Sequence, residues 1–262
     1  MSFSRPTVIA SPSVLLRVSS LALCLALCLG SGPAFGEWTQ LLNGTDLTGW
    51  RIGENPDSFW VQDGLMVVDG PRAHAYYVGP DGAASFKDFV FETEVFTTYG
   101  ANSGIYFHTH YQSEDWPGTG YEAQINQTHD DPKKTGGLYG VQDNYAAVAQ
   151  DYEWFDYQIT VSGKRIVLKI NGQTITDYTE PANLYRPWRQ LGQGTFAIQA
   201  HDPGRPVLFR NMRVQSIPEP SSVAICGIGF LFAAGIRRNK ACSARCRTPL
   251  PTVVSRTWIH LC

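Results

Sequence analysis

The segment from Glu37 to Ser216 has no cysteine, although the chain contains six. The six lie nearer the two ends, at Cys24, Cys28, Cys226, Cys242, Cys246 and Cys262. Without a disulfide framework the segment must be stabilised by its hydrophobic core, and about 180 residues are enough for one domain with a sizeable core. The same absence excludes a cysteine nucleophile in this segment.

A strong charge and the common catalytic motifs are also lacking. The formal net charge is -2, which predicts no nucleic-acid partner. The sequence has no Gly-x-Ser-x-Gly nucleophile elbow and no phosphate-binding loop. Between the two ends, no long stretch has the apolar period of an amphipathic helix, so the domain is predicted to be all-β.

Short alternating apolar runs separated by turn residues are what the domain contains. Two pairs of runs flank hairpin turns, at Asp63-Gly64 and Asn171-Gly172: Phe59–Gln62 with Leu65–Val68, and Val167–Ile170 with Gln173–Ile175. Further strands are predicted at Phe89–Phe96, Ser103–His108, Gly120–Asn126, Tyr157–Val161, Thr195–Gln199 and Val207–Val214. About ten strands without a fixed repeat favour two packed antiparallel sheets.

The stretch Thr128–Tyr152 has little periodicity and is predicted to be a long loop. Such loops in compact domains are usually functional or disordered. The aromatic residues in or next to it favour a binding rim, and they are Tyr139, Tyr145, Tyr152 and Trp154.

The N-terminus has the features of a secretory signal peptide. Arg5 and Arg17 precede an apolar core from Val18 to Leu29, and Ala34-Phe35-Gly36 supplies a small-x-small cleavage site. Leucine precedes both Cys24 and Cys28, where a lipoprotein signal requires a small residue. Residues 1–36 are therefore predicted to be removed on export.

A three-part signal follows the domain. Pro218 and Pro220 bar regular structure across Glu219, an apolar run extends from Val223 to Ile236, and Arg237-Arg238 ends it. This order in residues 217–240 resembles the PEP-CTERM sorting signal. The resemblance implies export, transient membrane anchoring and processing by an exosortase-type sorting protease; an ordinary membrane anchor is the alternative. Residues 241–262 are atypical for such a signal and indicate no function.

Polar side chains share one face of three predicted strands. Because side chains alternate along a strand, Tyr106, His108 and His110 should oppose Ile105 and Phe107. Glu122, Gln124 and Asn126 should likewise oppose Tyr121 and Ala123, and Gln199 and His201 should oppose Ile198 and Ala200. If the strands are neighbours, these bulky hydrogen-bonding groups form one surface suited to sugars. A plain solvated outer face is the alternative.

Two other kinds of site are possible from spacing alone. His108 and His110 could project imidazoles to the same side as a divalent-metal pair, with Glu122 or His201 as a third ligand. Glu92 and Glu94 share a strand face, as a pair of glycosidase carboxylates would. Their apolar neighbours also fit an ordinary strand with one wet side.

Several motifs, spread from Leu41 to Val214, together resemble the 3-keto-disaccharide hydrolase family. The motifs are Leu41-Leu42-Asn43-Gly44-Thr45-Asp46-Leu47-Thr48-Gly49-Trp50, Trp60-Val61-Gln62-Asp63-Gly64, Asp88-Phe89, Asn102-Ser103-Gly104-Ile105, Gly120-Tyr121-Glu122-Ala123-Gln124-Ile125, Ile198-Gln199-Ala200-His201 and Phe209-Arg210-Asn211-Met212. The resemblance implies a concanavalin A-like jelly-roll β-sandwich over residues 37–216. It also implies cleavage of glycosides that are oxidised to a ketone at C3, by C2 deprotonation and elimination, with or without later hydration.

The resemblance also suggests roles for the polar residues. Glu122 is the candidate base or metal ligand, and His201 is its candidate partner at the leaving oxygen or the enolate. The candidate substrate contacts are Asn102, Tyr106, His108, Gln124, Tyr139, Trp154, Gln199 and Arg210, the last with an ion pair as its alternative role. Phe107-His108 stands where many relatives have arginine, and His201-Asp202-Pro203-Gly204 stands where many have His-Gly.

The same jelly roll also serves non-catalytic proteins, because fold does not fix function. A carbohydrate-binding module is therefore the main alternative to an enzyme, and a structural matrix protein is a third. No cofactor other than a divalent metal is indicated.

Overall fold

The structure is a computed structural model, and it describes residues 36–218. Residues 1–35 and 219–262 carry most of the predicted signal peptide, the apolar run Val223–Ile236 and the tail, and these predictions lie outside the described residues. Within residues 36–218 no helix is long and apolar enough to cross a membrane.

Fifteen strands and one short 3-10 helix, Pro56–Ser58, make up the described chain. The strands are β1 (Thr39–Gln40), β2 (Trp50–Gly53), β3 (Phe59–Gln62), β4 (Leu65–Val68), β5 (Ala73–Tyr77), β6 (Phe89–Thr97), β7 (Asn102–Thr109), β8 (Tyr121–Asn126), β9 (Lys134–Leu138), β10 (Gln142–Asn144), β11 (Trp154–Ser162), β12 (Arg165–Ile170), β13 (Gln173–Thr179), β14 (Thr195–Ala200) and β15 (Val207–Ser216).

The strands form two antiparallel sheets. One has the order β13-β12-β11-β6-β15-β4-β3, with β1 paired to β15, and the other has the order β10-β9-β8-β7-β14-β5-β2. The prediction of an all-β, concanavalin A-like jelly-roll sandwich is confirmed. Both predicted hairpins are present, since Gln62 pairs with Leu65 and Ile170 pairs with Gln173.

The core lies between the sheets and is rich in aromatic rings. Phe91 of β6 and Phe196 of β14 belong to different sheets, and their ring centroids are 4.7 Å apart. Phe89 meets Phe196 edge-on at 4.9 Å. Such pairs contribute about 1 kcal/mol beyond the burial of their area. These contacts hold the two sheets together in a domain that has no disulfide.

The predicted loop Thr128–Tyr152 contains two strands, β9 and β10. The sequence Lys134-Thr-Gly-Gly-Leu138 is poor in β-branched and aromatic residues, which hides β9 from a pattern search. The segment therefore extends the seven-stranded sheet beyond β8. The prediction of a long irregular loop was wrong.

Candidate functional site

The outer face of the seven-stranded sheet carries the polar side chains. β14, β7 and β8 are neighbours in that sheet, as the predicted surface requires. Tyr106 of β7 is the pairing partner of Glu122 on β8 and of Ala197 on β14. Tyr121 and Ala123 belong to the core between the sheets. The alternate residue Glu122 therefore faces outward.

A cavity of about 440 Å³ lies on this face. Its lining includes many of the residues singled out from the sequence. They are Asn102, Tyr106, Glu122, Gln124, Tyr139, Gln199 and His201. Trp116, Pro117, Asp131 and Arg189 complete the wall, and none of these was predicted.

Glu122 is the buried acid of the cavity, with 5% of its surface exposed. Gln199 Nε2 donates hydrogen bonds to Glu122 Oε1 and to the Tyr106 hydroxyl oxygen, both at 3.2 Å. Burial raises the pKa of Glu122 to about 7, although hydrogen bonds from Tyr106 and Gln199 and the charge of Arg189 act in the opposite direction. A carboxyl group that titrates near neutral pH is suited to accepting and returning a proton.

Gly104 makes room for that carboxyl group. A Cβ at this position would lie 2.6 Å from Glu122 Oε1, which is shorter than any ordinary contact. Glu122 pairs with Tyr106 on β7, and its carboxyl group reaches along that strand to Gly104. The third residue of the Asn-Ser-Gly-Ile motif is thus glycine because a larger residue would clash with the Glu122 carboxyl group.

Asn102 and Gln124 provide hydrogen-bonding groups for a polar ligand. Gln124 Nε2 donates to Asn102 Oδ1 at 3.2 Å, and both side chains are buried. Within residues 36–218, the buried Gln124 Oε1 has no hydrogen-bond partner. A buried acceptor without a partner is costly, so a hydroxyl group that donates to it from the cavity would be favoured.

Positive charge reaches the cavity from its rim. Arg189 lies in the loop before β14 and donates a hydrogen bond to the Tyr139 carbonyl oxygen. Lys133 Nζ lies 3.6 Å from the centroid of the Tyr139 ring. The charges of Arg189 and Lys133 both lower the pKa of Glu122. Arg189 therefore supplies a permanent positive charge at the cavity. Phe107-His108, which stands where many relatives have arginine, does not supply one.

His201 lies at the cavity beside Asp202 and His129. Among residues 36–218, these three are the group of histidine and carboxylate side chains whose ligand atoms all lie within 4.8 Å of one another. The predicted metal set of His108, His110 and Glu122 is not assembled.

His108 lies in the core rather than in the cavity. It has a φ of 56°, and the β7–β14 register shifts between Thr195 and Phe196. This bulge breaks the strand alternation and turns the imidazole inward, where it packs 5.7 Å from the Phe89 ring. Its Nε2 donates to the Lys87 carbonyl, and Gly192 N–H donates to its Nδ1. The prediction of a substrate contact or metal ligand was wrong for His108.

His110 is exposed and its Nδ1 lies 3.4 Å from the Thr119 hydroxyl. It is not part of the cavity lining. The two histidines therefore do not form a metal pair, because His108 is buried and His110 is exposed.

Four other residues singled out from the sequence lie on the eight-stranded sheet: Trp154, Arg210, Glu92 and Glu94. Arg210 binds Glu94 Oε2 at 2.8 Å through Nε and stacks 4.0 Å from the Trp154 ring. Glu92 forms a 2.7 Å ion pair with Arg213. The predicted substrate contacts at Trp154 and Arg210 were therefore wrong, and the alternative ion-pair role of Arg210 was right. Glu92 and Glu94 form ion pairs with Arg213 and Arg210, which gives both carboxylates a structural role. Both also line a separate cavity of about 450 Å³ on the eight-stranded sheet, so the glycosidase interpretation stays a prediction.

Comparison with known proteins agrees with this architecture. Residues 37–215 match the family described as the 3-keto-alpha-glucoside-1,2-lyase-like domain. The chain belongs to this family. No curated protein sequence matched the chain.

Two solved structures share the fold of the chain. Two crystal structures from Parabacteroides distasonis ATCC 8503, both of provisionally named glycosyl hydrolases, resemble the chain. The first has a TM-score of 0.58 at 20% identity and covers 70% of this chain and 94% of its own. The second has a TM-score of 0.51 at 21% identity and covers 69% of this chain and 99% of its own. The domain thus shares its jelly-roll fold with these two structures.

Proposed function

We propose that this protein is an exported enzyme that cleaves 3-keto-glycosides, with Glu122 as the general base. The observation that carries the proposal is a buried carboxyl group with a pKa of about 7 in a polar cavity. The family to which the chain belongs supports the substrate class. Asn102 and Gln124 would bind hydroxyl groups of the sugar.

The reaction would begin at the acidic C2 hydrogen beside the ketone. Glu122 takes this proton, and the electrons of the C–H bond form a C1=C2 double bond as the C1–O bond breaks toward the leaving oxygen. Arg189 would stabilise the enolate charge that develops on the ketone oxygen. Water can then add at C1 while Glu122 returns its proton to C2.

The test is the turnover of a 3-keto-glucoside by the purified protein and by Glu122→Gln. We expect the substitution to lower kcat by about 10³-fold, because general-base catalysis contributes about 10²–10⁴-fold. Glu92→Gln is the matched control, since Glu92 lies on the other sheet, and it should keep full turnover. Equal rates for Glu122→Gln and wild type would contradict the proposal.

A carbohydrate-binding module is the second candidate. Trp116 favours it, because this ring lines the cavity with 41% of its surface exposed and offers a flat apolar face on which a sugar ring can stack. In that case the folded protein would bind an oligosaccharide without turnover, and Glu122→Gln would weaken binding only modestly.

Export and anchoring are proposed from the two ends of the chain. The signal-peptide features of residues 1–36 and the Pro-Glu-Pro, apolar and arginine features of residues 217–240 support export, membrane attachment through residues 223–236 and processing by an exosortase-type protease. Mass spectrometry of the mature protein would show new termini near Glu37 and the Pro-Glu-Pro if this is correct.

A further inference from the structure

The carboxylate of Asp202 lies between two imidazoles at the edge of the cavity. Its Oδ2 is 2.8 Å from His201 Nδ1 and 3.2 Å from His129 Nε2. His201 and Asp202 directly follow β14, and His129 lies in the turn between β8 and β9. The three side chains are all partly buried.

The hydrogen bond at the far side of His129 determines where its proton lies. The backbone N–H of Asp131 donates to His129 Nδ1 at 3.0 Å. Because a backbone N–H can only donate, Nδ1 must be the unprotonated nitrogen. A neutral His129 therefore carries its proton on Nε2 and donates it to Asp202.

This arrangement disagrees with a metal ion held by His129, His201 and Asp202. Coordination through His129 Nε2 would need the lone pair of that nitrogen, so the proton would move to Nδ1. Metal-binding histidines almost always donate this second N–H to an acceptor. Here Nδ1–H would face the donor N–H of Asp131 instead, and the two donors would repel each other.

The remaining contacts determine which ring nitrogen of His201 donates a hydrogen bond and how the ring is oriented. A carboxylate can only accept, so His201 Nδ1–H donates to Asp202. Its ring packs 5.8 Å from the Trp116 ring and 5.4 Å from the His129 ring, which limits its rotation. Within residues 36–218, His201 Nε2 makes no hydrogen bond, and His201 lines the cavity.

We infer that His201 is the proton donor to the leaving oxygen, and that Asp202 is the residue that positions it while His129 holds Asp202. This inference rests on the proposed function. In elimination, His201 starts with both ring nitrogens protonated and gives its Nε2 proton to the glycosidic oxygen as the C1–O bond breaks, while Glu122 takes the C2 proton. His201 keeps its Nδ1–H bond to Asp202 and becomes neutral. When water adds at C1, neutral His201 takes a proton from it and Glu122 returns its proton to C2, so both groups regain their starting states.

The test compares two leaving groups in the wild type and in Asp202→Asn. The substrates are methyl and 4-nitrophenyl 3-keto-glucosides, and only the methoxide leaving group needs a proton from an acid. We expect Asp202→Asn to lower kcat about 100-fold on the methyl substrate, the size of a general-acid contribution, and less than about 5-fold on the 4-nitrophenyl substrate. Equal loss on both substrates, or no loss on either, would overturn the inference.

Controls separate this inference from the proposed function. Asp177→Asn is the matched control, because Asp177 pairs with Arg165 on the other sheet, and it should keep both rates. A wild-type protein that turns over neither substrate contradicts the proposed function and removes the reaction on which the inference depends. Loss of both rates after EDTA, restored by a divalent metal, would overturn the inference in favour of an ion.

A measurement without activity addresses the hydrogen bonds themselves. Ring ¹⁵N chemical shifts of the wild-type protein at pH 8 should show protonated Nε2 in His129 and protonated Nδ1 in His201. In Asp202→Asn, His201 should lose its strong preference for the Nδ1–H tautomer. A wild-type His201 whose Nδ1 carries no proton would contradict the inference whatever the substrate proves to be.

Discussion

At the scale of single residues, the raised pKa of Glu122 that suits it to proton transfer also makes the stability of the fold depend on pH. Its pKa is raised from 4.5 to about 7 in the folded protein by burial. The folded state therefore holds a proton that the unfolded chain releases between these pH values. Stability from this group is complete below pH 4.5 and is lost as the pH rises through about 7.

The first prediction follows from this loss of stability as the pH rises. Glu122→Gln removes the buried charge, so at pH 8 it should raise the free energy of unfolding by up to about 3 kcal/mol, which is the shift from 4.5 to about 7 expressed as energy. At pH 4 the two proteins should differ little. Urea unfolding at both pH values measures this, and a variant less stable than wild type at pH 8 would contradict it.

Gly104 gives the second prediction. Gly104→Ala would push the Glu122 carboxyl group away from a Cβ that lies 2.6 Å from Oε1. We expect kcat/KM to fall about 100-fold while the fold is kept, because small displacements of catalytic groups have effects of this size. Gly192→Ala is the control, since nothing lies within 4 Å of its added Cβ. Unchanged kcat/KM in Gly104→Ala would show that Glu122 can move without loss.

Strand alternation was enough to predict which residues of the regular strands share the cavity. Glu122, Gln124 and Gln199 follow directly from it. Arg189 and Trp116 could not be predicted, because both lie outside the strands and no register relates a loop side chain to the sheet. Trp154 was misplaced because a sequence shows the face of a strand but not the sheet to which the strand belongs.

At the scale of elements, turn chemistry was the most reliable signal. Asp63 has a φ of 52° and Gly64 a φ of 80°, the left-handed pair that a two-residue hairpin requires. β5 was not predicted, because its sequence lacks the alternation of polar and apolar residues that marks a strand. All its residues, Ala73 to Tyr77, are buried, so the strand is covered on both faces and has no polar alternation to detect.

The bulge in β7 gives the third prediction. Burial lowers the pKa of His108 below its ordinary value of 6.5. The stability that this neutral imidazole contributes is complete above pH 6.5 and is lost as the pH falls below it. Asparagine tolerates the positive φ of this position. His108→Asn should therefore be less stable than wild type at pH 8, with a smaller further loss on going to pH 5.

Thermal unfolding of both proteins between pH 5 and pH 8 measures this difference. His74→Asn provides a comparison that is measured down to about pH 3. Burial lowers the pKa of His74 to about 4, so the stability that the wild type loses through this residue continues to fall to that lower pH. Parallel pH profiles for wild type and His108→Asn would show that His108 does not titrate during unfolding.

At the scale of the whole molecule, the contact between the two sheets replaces the missing disulfides. Phe91→Ala removes the ring that stacks on Phe196 across the core. We expect a loss of about 3–5 kcal/mol, a large part of the total stability of about 5–15 kcal/mol that single domains have. Phe96→Ala is the control, because Phe96 lies on the outer face of the same strand. Similar losses in both variants, measured by chemical unfolding, would contradict this account of the core.

The described segment begins and ends at one place, where Gly36 N–H donates to the Ser216 carbonyl and β1 runs antiparallel to β15. A pulling force applied at these two ends would act along the hydrogen bonds between the strands and break them one after another, and it would not load them all at once in shear. The pairs Thr39–Val214 and Gln40–Arg213 would separate first at low force. The cavity, built on the opposite sheet, would keep its shape until β15 itself left β6.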